Sequence, residues 1–315
     1  MRPLEIRPPP AQCQGFSLLE LLVSMCIGLL IIAAALSAYQ GAASASKLAE
    51  AQSRMNEDAQ AALSILTQHI RMAGNNPVQA NRTDASHRNA MPIFTLRGCD
   101  NVFGQITTNS ATEDLSCTGT GSHSIAIAYE ADNFNTIHNT SGLAQPTDCL
   151  GNRLTAISTP GVATVTGLAT TQHYVAENRF YIGTSTAISG TPSLYCKGNG
   201  GLGSPQPLIE NIEDLQLTYG TARSSGPGSD NATVAGYLTA AEVSALATNP
   251  ADNATRWRKV LTVRICVLVR SDAYLVSDTA SASYFQCNGQ LDTTQTDRRL
   301  RRAYATTVAL RNRQL

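Results

Sequence analysis

The longest run of apolar positions in the chain lies near its N-terminus, at residues 16–38, FSLLELLVSMCIGLLIIAAALSA. As a helix this run spans roughly 35 Å, which is enough to cross a bilayer core of about 30 Å. Glu20 is its one charged residue. Because Arg2, Arg7 and three successive prolines precede the run, we expect those residues to stay outside the helix, on the cytoplasmic side. The pattern predicts a membrane-spanning helix, with everything after residue 38 facing outward.

Helical periodicity continues beyond residue 38, now on a polar background. Apolar side chains recur at steps of seven, four, four, three and four, at Leu48, Met55, Ala59, Leu63, Leu66 and Ile70. These steps form one stripe along a helix, and they fit packing on a sheet better than a heptad coiled coil. Gly74 suits the residue after a helix end, and Pro77 prevents continuation. We therefore predict one helix over residues 17–73, roughly 85 Å long.

The rest of the chain, residues 74–315, alternates strand-like segments with tracts rich in Gly, Ser, Thr, Asn and Pro. Strands are predicted at 124–130, 173–182, 194–196, 215–219, 260–270 and 304–310, and a short helix at 239–247. We expect an α+β fold, in which an antiparallel β head with long loops is covered by the second half of the N-terminal helix.

Eight cysteines are present, and no two have the C-x-x-C spacing of a zinc or redox site. Cys13 precedes the apolar run and Cys26 lies inside it. In an exported chain the other six predict three disulfides, whose connectivity the sequence leaves open, whereas a cytosolic protein would keep free thiols. We expect sequential pairing because short loops are the least demanding to close: Cys99–Cys117, Cys149–Cys196 and Cys266–Cys287.

Charge and local motifs give no support to an enzyme. The 23 basic and 23 acidic side chains cancel, so nothing favours nucleic acid or an anionic surface as the main partner. Residues 198–203 match a dinucleotide fingerprint, but residues 204–207, SPQP, follow where a helix would have to begin. We predict that the acidic cluster Glu210, Glu213 and Asp214 caps or solvates a turn, and we expect no catalytic residue, metal or cofactor.

Glu20 distinguishes an assembly helix from a conventional secretory signal, for which 33–35, AAA, would offer a cleavage site. A carboxylate in the apolar part of a helix costs about 2.5–3.5 kcal/mol on insertion scales, and a discarded signal or plain anchor gains nothing from it. Cleavage between Gly15 and Phe16 would place a new α-amino group about 6 Å from Glu20 along the helix axis. In staggered helices, that amine can neutralise the carboxylate of a neighbour and set the register of assembly.

Residues 15–23, GFSLLELLV, resemble the class III signal of type IV prepilins. In that family a membrane aspartyl peptidase cuts after the glycine and methylates the new phenylalanine. The resemblance implies that Gly15 precedes the cut, that Phe16 becomes the methylated N-terminus and that Glu20 is the assembly glutamate.

Four further stretches resemble one branch of that superfamily, the PilW-type minor pilins: 70–75 (IRMAGN), 208–220 (LIENIEDLQLTYG), 260–271 and 302–312 (RAYATTVALRN). The resemblance implies a type IV pilin-like fold with long disulfide-stapled loops. Its expected parts are a leader at 1–15, a transmembrane or fibre-core half of the helix at 16–38, an amphipathic half at 39–73 and a periplasmic head at 74–315.

The resemblance implies a minor pilin of a type IV pilus, in the initiation or tip complex that primes assembly. Its expected partners are other minor pilins, the major pilin, the prepilin peptidase and methyltransferase, and the inner-membrane assembly platform. We expect a single-pass inner-membrane protein with a periplasmic head that later enters the fibre.

Two alternatives remain open from the sequence. A J-type pseudopilin of a type II secretion system shares the architecture and a similar tail. A tip adhesin or DNA-binding module would use the long loops 74–125 and 220–256, and DNA could also meet the basic tail at 298–302. That tail lacks interleaved aromatic residues other than Tyr304, so a subunit-facing edge strand with gatekeeping charges is the favoured interpretation.

Overall fold

The computed structural model describes residues 17–77, 91–136, 145–164, 167–185, 190–201, 203–222, 233–248 and 252–312. Within them the helices are α1 (Leu18–Met72), α2 (Ala240–Ser244) and α3 (Asn253–Arg258). The strands are β1 (Leu96–Cys99), β2 (Ser124–Ala131), β3 (Ile157–Thr164), β4 (Gly167–Ser185), β5 (Thr191–Lys197), β6 (Gln206–Glu210), β7 (Ile212–Ala222), β8 (Val234–Leu238), β9 (Val260–Tyr274), β10 (Tyr284–Phe285), β11 (Leu291–Asp292) and β12 (Arg299–Ala309).

The chain divides into two compact units, residues 1–50 and residues 51–315. The described part of the first unit is the beginning of α1, and the second unit contains the end of α1 together with every described strand. Below, the second unit, residues 51–315, is called the head, and it includes the part of α1 from residue 51 onward. The composition turns polar after residue 38, but burial of α1 begins later: Leu48 is 38% exposed, and Met55 is the first buried residue of the helix.

The second unit buries one face of α1. The buried residues recur at steps of four, three, four and four, at Met55, Ala59, Ala62, Leu66 and Ile70. Leu63, predicted to lie on this stripe, is only partly buried, and Ala62 takes the central place. A true helical period of 3.6 residues rotates Leu63 off the face that Met55 and Leu66 share.

The strands of the head form two main antiparallel sheets and a small hairpin. One sheet has the order β1-β2-β4-β5-β6, with β3 pairing with an extension of β4. The other has the order β12-β9-β7-β8, and β10 pairs with β11 alone. The expected α+β class, a long helix on an antiparallel head, is therefore confirmed, with the refinement that the head contains two sheets.

The chain crosses from the first sheet to the second at one residue, Asn211. It stands between β6 and β7 with φ of 60°, a left-handed conformation that asparagine tolerates better than most residues. Its carbonyl accepts the backbone N–H of Arg270 at 3.0 Å, which fixes the crossing against β9. The resembling stretch 208–220 is thus the junction between the sheets.

One apolar core joins the head's part of α1 to both main sheets. It includes fully buried Leu66 from α1, Ile127 from β2 and Ile265 from β9. The strand β9 reads as a nearly continuous apolar run because its second face is also covered, with Leu268 5% and Cys266 8% exposed. The core therefore fixes the head's part of α1 to the sheets.

All six predicted strands are present, and each is longer in the structure. Pairing extends them: β4 reaches 19 residues because β2, β3 and β5 pair with different parts of it. Patterns did not reveal β1, β3, β6, β8 or the hairpin, which are short or interrupted by glycine and proline. They also missed α3, whose N-cap Asp252 accepts the N–H of Thr255 at 2.8 Å and which buries Trp257.

Leu66→Ala should destabilise the head by about 2–5 kcal/mol, because the side chain is fully buried and its removal leaves a cavity. The measurement is denaturant unfolding of the full-length protein in detergent, followed by the fluorescence of Trp257, the only tryptophan. Leu291→Ala, at a position 54% exposed, is the matched control and should change stability by less than about 1 kcal/mol. Equal losses in both variants would contradict this account of the core.

Candidate assembly interface

The first turn of α1 is closed by a reciprocal pair of hydrogen bonds between Ser17 and Glu20. The backbone N–H of Ser17 donates to Oε2 of Glu20 at 2.9 Å, and the backbone N–H of Glu20 donates to Oγ of Ser17 at 3.2 Å. This is a capping box, in which two side chains satisfy two otherwise unpaired backbone donors of a helix start. The pattern S-x-x-E at residues 17–20 carries this signal in the sequence, and the sequence analysis did not use it.

The capping box changes the electrostatics expected for Glu20. A hydrogen bond from a backbone N–H partly compensates a carboxylate for the loss of water, so the isolated helix does not hold a bare charge. Among the described residues, Oε1 of Glu20 accepts no hydrogen bond. A carboxylate has about four lone-pair sites. The group therefore keeps capacity for a second donor.

The first part of α1, as far as Leu36, has an apolar surface that no other part of the described chain covers. Its large apolar side chains between Leu18 and Leu36 are 50–81% exposed, and the helix is long and apolar enough to cross a membrane. Two hydroxyls on it are satisfied within the helix, because Ser24 donates to the carbonyl of Leu21 and Ser37 to that of Ala34, each at 2.9 Å. Such bonds make the helix compatible with lipid.

Both predicted processing residues, Gly15 and Phe16, lie outside the described residues, as does Cys13. The six cysteines of the head form the sequential pairs expected from the sequence, Cys99–Cys117, Cys149–Cys196 and Cys266–Cys287. Cys26 is exposed on α1 and unpaired.

Each disulfide holds a loop against a strand of the head. The first attaches the loop before β2 to the end of β1, and the second attaches the loop before β3 to β5. The third attaches the turn of the β10–β11 hairpin to the centre of β9. The loop before β2 also buries Phe103, Ile106 and Leu115 in a small apolar cluster beside Cys99, so its disulfide adds to packing that is already present.

The end of α1 is tied to the first sheet by a buried polar network around His69. Nδ1 of His69 lies 3.2 Å from the hydroxyl of Tyr129, and the amide of Asn178 donates to that hydroxyl at 3.2 Å. The amide oxygen of Asn178 accepts the N–H of Cys149 at 3.0 Å. Phe180 packs on the imidazole with ring centroids 5.0 Å apart. Burial lowers the pKa of His69 to about 4, so the ring is neutral at pH 7.

Residues 198–201, in the described part of the glycine-rich segment, form a turn around the buried carboxylate of Asp148. The carboxylate accepts the N–H of Gly200 at 3.0 Å and the N–H groups of Leu150 and Asn152 at 2.9 and 3.0 Å. A Cβ at Gly198 or Gly200 would overlap this site. Gly198 and Gly200 are therefore required for close packing, and no helix follows directly at residues 203–205, as expected from the sequence SPQP.

One member of the predicted acidic cluster, Glu213, meets the basic tail in an ion-pair network. Arg301 binds Glu213 through Nε at 2.6 Å and Asp297 through Nη1 at 2.7 Å, and Arg270 lies 3.5 Å from Glu213. The predicted role of Glu213 in capping or solvating a turn is therefore wrong, because it lies on β7 and pairs with two arginines. Arg299 is also engaged, since its guanidinium donates to the carbonyls of Ser271 and Asp272.

These contacts bear on the idea of a DNA-binding tail. Arg301 is 7% exposed and Arg299 15% exposed at the side chain, so neither presents its charge freely to a phosphate backbone. Arginines do stack on Tyr304, noted from the sequence, and on Tyr274 and Tyr284, which the sequence did not place beside the tail. One face of each of Arg299, Arg301 and Arg302 is thus stacked on a tyrosine, and all three belong to β12, whereas Arg298 and Arg302 stay exposed.

An exposed apolar helix, a capped first turn with an acidic side chain, and a disulfide-bonded antiparallel head define a membrane-anchored, pilin-like protein. Comparison with protein families agrees with this class. Residues 179–312 match the family of the type IV pilus-assembly protein W, and residues 10–36 match the prokaryotic N-terminal methylation motif. No curated protein and no solved structure matches the chain.

The two family matches fall at opposite ends of the chain and describe different parts of one kind of protein. The chain belongs to the type IV prepilin superfamily and is a PilW-type minor pilin. The domains of this family are structural.

The stability of the head should depend on pH through His69. His69 has a pKa near 6.5 in the unfolded chain and about 4 in the folded one, so that, as the pH falls, it binds a proton in the unfolded state before it does in the folded state. The contribution of neutral His69 to the free energy of unfolding is fully present above pH 6.5, and it falls by on the order of 3 kcal/mol as the pH drops towards 4. In denaturant unfolding at pH 7.0 and pH 5.0, His69→Gln should be less stable at pH 7 but show a smaller loss between the two pH values. An undiminished loss in this variant would exclude His69 as its source.

Proposed function

We propose that this minor pilin joins other minor pilins in the initiation or tip complex of a type IV pilus and primes assembly of the fibre. The observation that carries the proposal is Glu20, an acidic side chain in the first turn of a helix that is otherwise apolar and uncovered as far as Leu36. The family matches at both ends of the chain support the same role.

The proposed mechanism begins with cleavage between Gly15 and Phe16 and methylation of the new N-terminus. The amine then stands beside a carboxylate that already accepts the N–H of Ser17 through Oε2. Its other oxygen accepts the amine of a neighbouring subunit, so that one carboxylate serves both the capping box and the intersubunit ion pair. Because the two charges of an ion pair are costly to separate in lipid, the pair selects one stagger between helices.

Packing of the helices supplies the rest of the assembly energy. Neighbouring helices would replace lipid on the apolar surface between Leu18 and Leu36, and small residues let helix backbones approach closely. Gly28 and Gly41 suit such approach, since a Cβ built at either position meets nothing within 4 Å in the isolated chain. The packing of this chain alone therefore does not require glycine at these sites.

The head and the location follow from this mechanism. The protein waits as a single-pass inner-membrane subunit with a periplasmic head, where disulfides form, and then enters the fibre. Its partners are other minor pilins, the major pilin and the assembly platform. Cleavage and methylation are carried out on the chain by the prepilin peptidase, so the role requires no catalytic group of its own. The match to the type IV pilus-assembly protein W favours the pilus over a type II secretion system.

Glu20→Ala should leave membrane insertion intact and lower incorporation into pili at least tenfold, because the neighbour's amine loses its counter-charge. Removing the carboxylate also removes its insertion cost, so reduced membrane levels are not expected. The measurement is the amount of the chain in sheared pili and in membranes. Ser17→Ala is the control: it weakens the cap by about 1 kcal/mol but keeps the carboxylate, and it should assemble nearly normally. Normal incorporation of Glu20→Ala would refute the register mechanism.

N-terminal mass analysis of the mature protein should find methylated Phe16 as its first residue. The expectation rests on the Gly15–Phe16 junction and on the match of residues 10–36 to the methylation motif. A mature protein that begins after Ala35 would mean an ordinary secretory signal, and one that keeps its leader would mean a plain anchor. Either result would remove the amine that the mechanism needs.

A further inference from the structure

The strand β12 forms one edge of the four-stranded sheet and is 11 residues long. From Arg301 to Ala309 it pairs with β9 in unbroken antiparallel register. The N–H of Leu310 donates to the carbonyl of Leu261 across the same pair of strands at 2.8 Å. Backbone groups of successive residues point to opposite sides of a strand, so the even-numbered residues face β9. The odd-numbered residues therefore direct their N–H and C=O groups away from the sheet.

The outward residues are Ala303, Ala305, Thr307 and Ala309. Among the described residues their outward backbone groups have no hydrogen-bond partner, and the last three are exposed. The segment 303–309, AYATTVA, contains no charge and no proline. Exposed edges are normally protected by lysine, proline, a bulge or a covering segment. This edge has arginines only at its beginning, so its last seven residues are open to pairing with another strand.

The direction of β12 restricts which strand can pair with it. The hydroxyl of Tyr304 donates to Oδ1 of Asn56 at 2.5 Å, and the amide of Asn312 donates to the carbonyl of Arg71 at 3.0 Å. Residue numbers rise in both segments between the first contact (304 with 56) and the second (312 with 71), so β12 and the head's part of α1 run in the same direction. A two-fold pairing of β12 with β12 of a second copy would reverse that helix in one subunit. Subunits whose helices pack side by side in one direction cannot adopt this arrangement.

The opposite edge of the same sheet has the direction that β12 requires. Three successive antiparallel pairings separate β12 from β8, so β8 runs opposite to β12 and hence opposite to the head's part of α1. In a neighbouring pilin with this head topology and a parallel helix, the strand at the β8 position runs antiparallel to β12. Its backbone groups would meet those of the four outward residues, and the sheet would continue from one head to the next.

We propose that residues 303–309 of β12 bind the β8-position edge strand of a neighbouring pilin head by antiparallel strand addition. This inference rests on the proposed function, because it needs a partner whose helix runs parallel to α1. Backbone hydrogen bonds would provide the affinity, and the small side chains of Ala305, Thr307 and Ala309 leave the edge sterically accessible. The helices would set the stagger between subunits, and the strand pair would set the rotation of this head against its neighbour.

The test is Thr307→Pro in the full-length chain, expressed in cells that assemble pili. Proline removes an N–H that points away from β9, so the existing ladder keeps all of its donors. Incorporation into sheared pili should fall at least tenfold. The matched control, Thr307→Val, keeps the N–H and the side-chain shape and should stay within twofold of the original chain. Tryptophan fluorescence melting in detergent shows whether both variants fold.

If Thr307→Pro does not fold, a second measurement tests whether residues 303–309 pair with a neighbouring strand. A photo-crosslinking amino acid at position 305 should link the chain to an edge strand of another pilin, and the same group at position 291, on the exposed hairpin, should not. Crosslinks from position 305 that fall outside an edge strand, or only on proteins other than pilins, would overturn the proposal. A folded Thr307→Pro variant that assembles normally would also overturn it.

The outcomes separate this proposal from the proposed function. If Glu20→Ala fails to assemble while folded Thr307→Pro assembles normally, the pilin role stands and the strand addition is wrong. If the unaltered chain is absent from pili, the pilin role itself fails and the strand addition has no partner.

Discussion

Glu20 is the constraint on which the rest of this molecule depends. A carboxylate in an apolar helix is unfavourable by itself, and the structure shows the first part of the solution, a hydrogen bond from the N–H of Ser17 to Oε2. We propose that the second part comes from the amine of a neighbouring subunit, because Oε1 accepts no hydrogen bond from the described residues. A side chain that is only partly satisfied in the monomer favours any assembly that supplies a positive group.

The head makes that assembly specific only if the helix and the head keep a fixed arrangement within the second unit. The core residues of α1, from Met55 to Ile70, and the buried contact of His69 with Tyr129 fix the end of the helix to the first sheet. The contact between Tyr304 and Asn56 fixes it to the second. Disulfides then attach three loops to strands of the head, and the loop before β2 also has a small apolar cluster of its own. A neighbour that binds the head therefore also meets a helix in a defined orientation.

The ion-pair network of the second sheet illustrates how polar groups are used in this head. Arg301 is almost fully buried and is acceptable there because two carboxylates share its five donors. Such networks contribute little net stability but are costly to break, so they specify an arrangement more than they strengthen it. Here the network attaches the start of β12 to β7. The residues of β12 after Arg302 carry no charge. The same strand thus has a protected beginning and an open end.

The sequence by itself determined the local features of this protein. The apolar run, the glutamate four residues after Phe16, most of the stripe between Leu48 and Ile70 and the six longer strands follow from periodicity and composition, which depend on neighbouring residues alone. The family resemblance rested on the same local patterns. Even the capping box of Ser17 and Glu20 was legible, since its two members stand three residues apart.

Only the tertiary structure decided which distant residues meet. Glu213 and Arg301 are 88 residues apart, so no local rule predicts that they pair, and the division into two sheets depends on Asn211 adopting a left-handed conformation. The short strands form because a longer neighbour offers them a partner, as β2 does for β1. The open edge of β12 has the same origin: whether a strand lies at an edge depends on which strands pair beside it, and pairing is a non-local property of the fold.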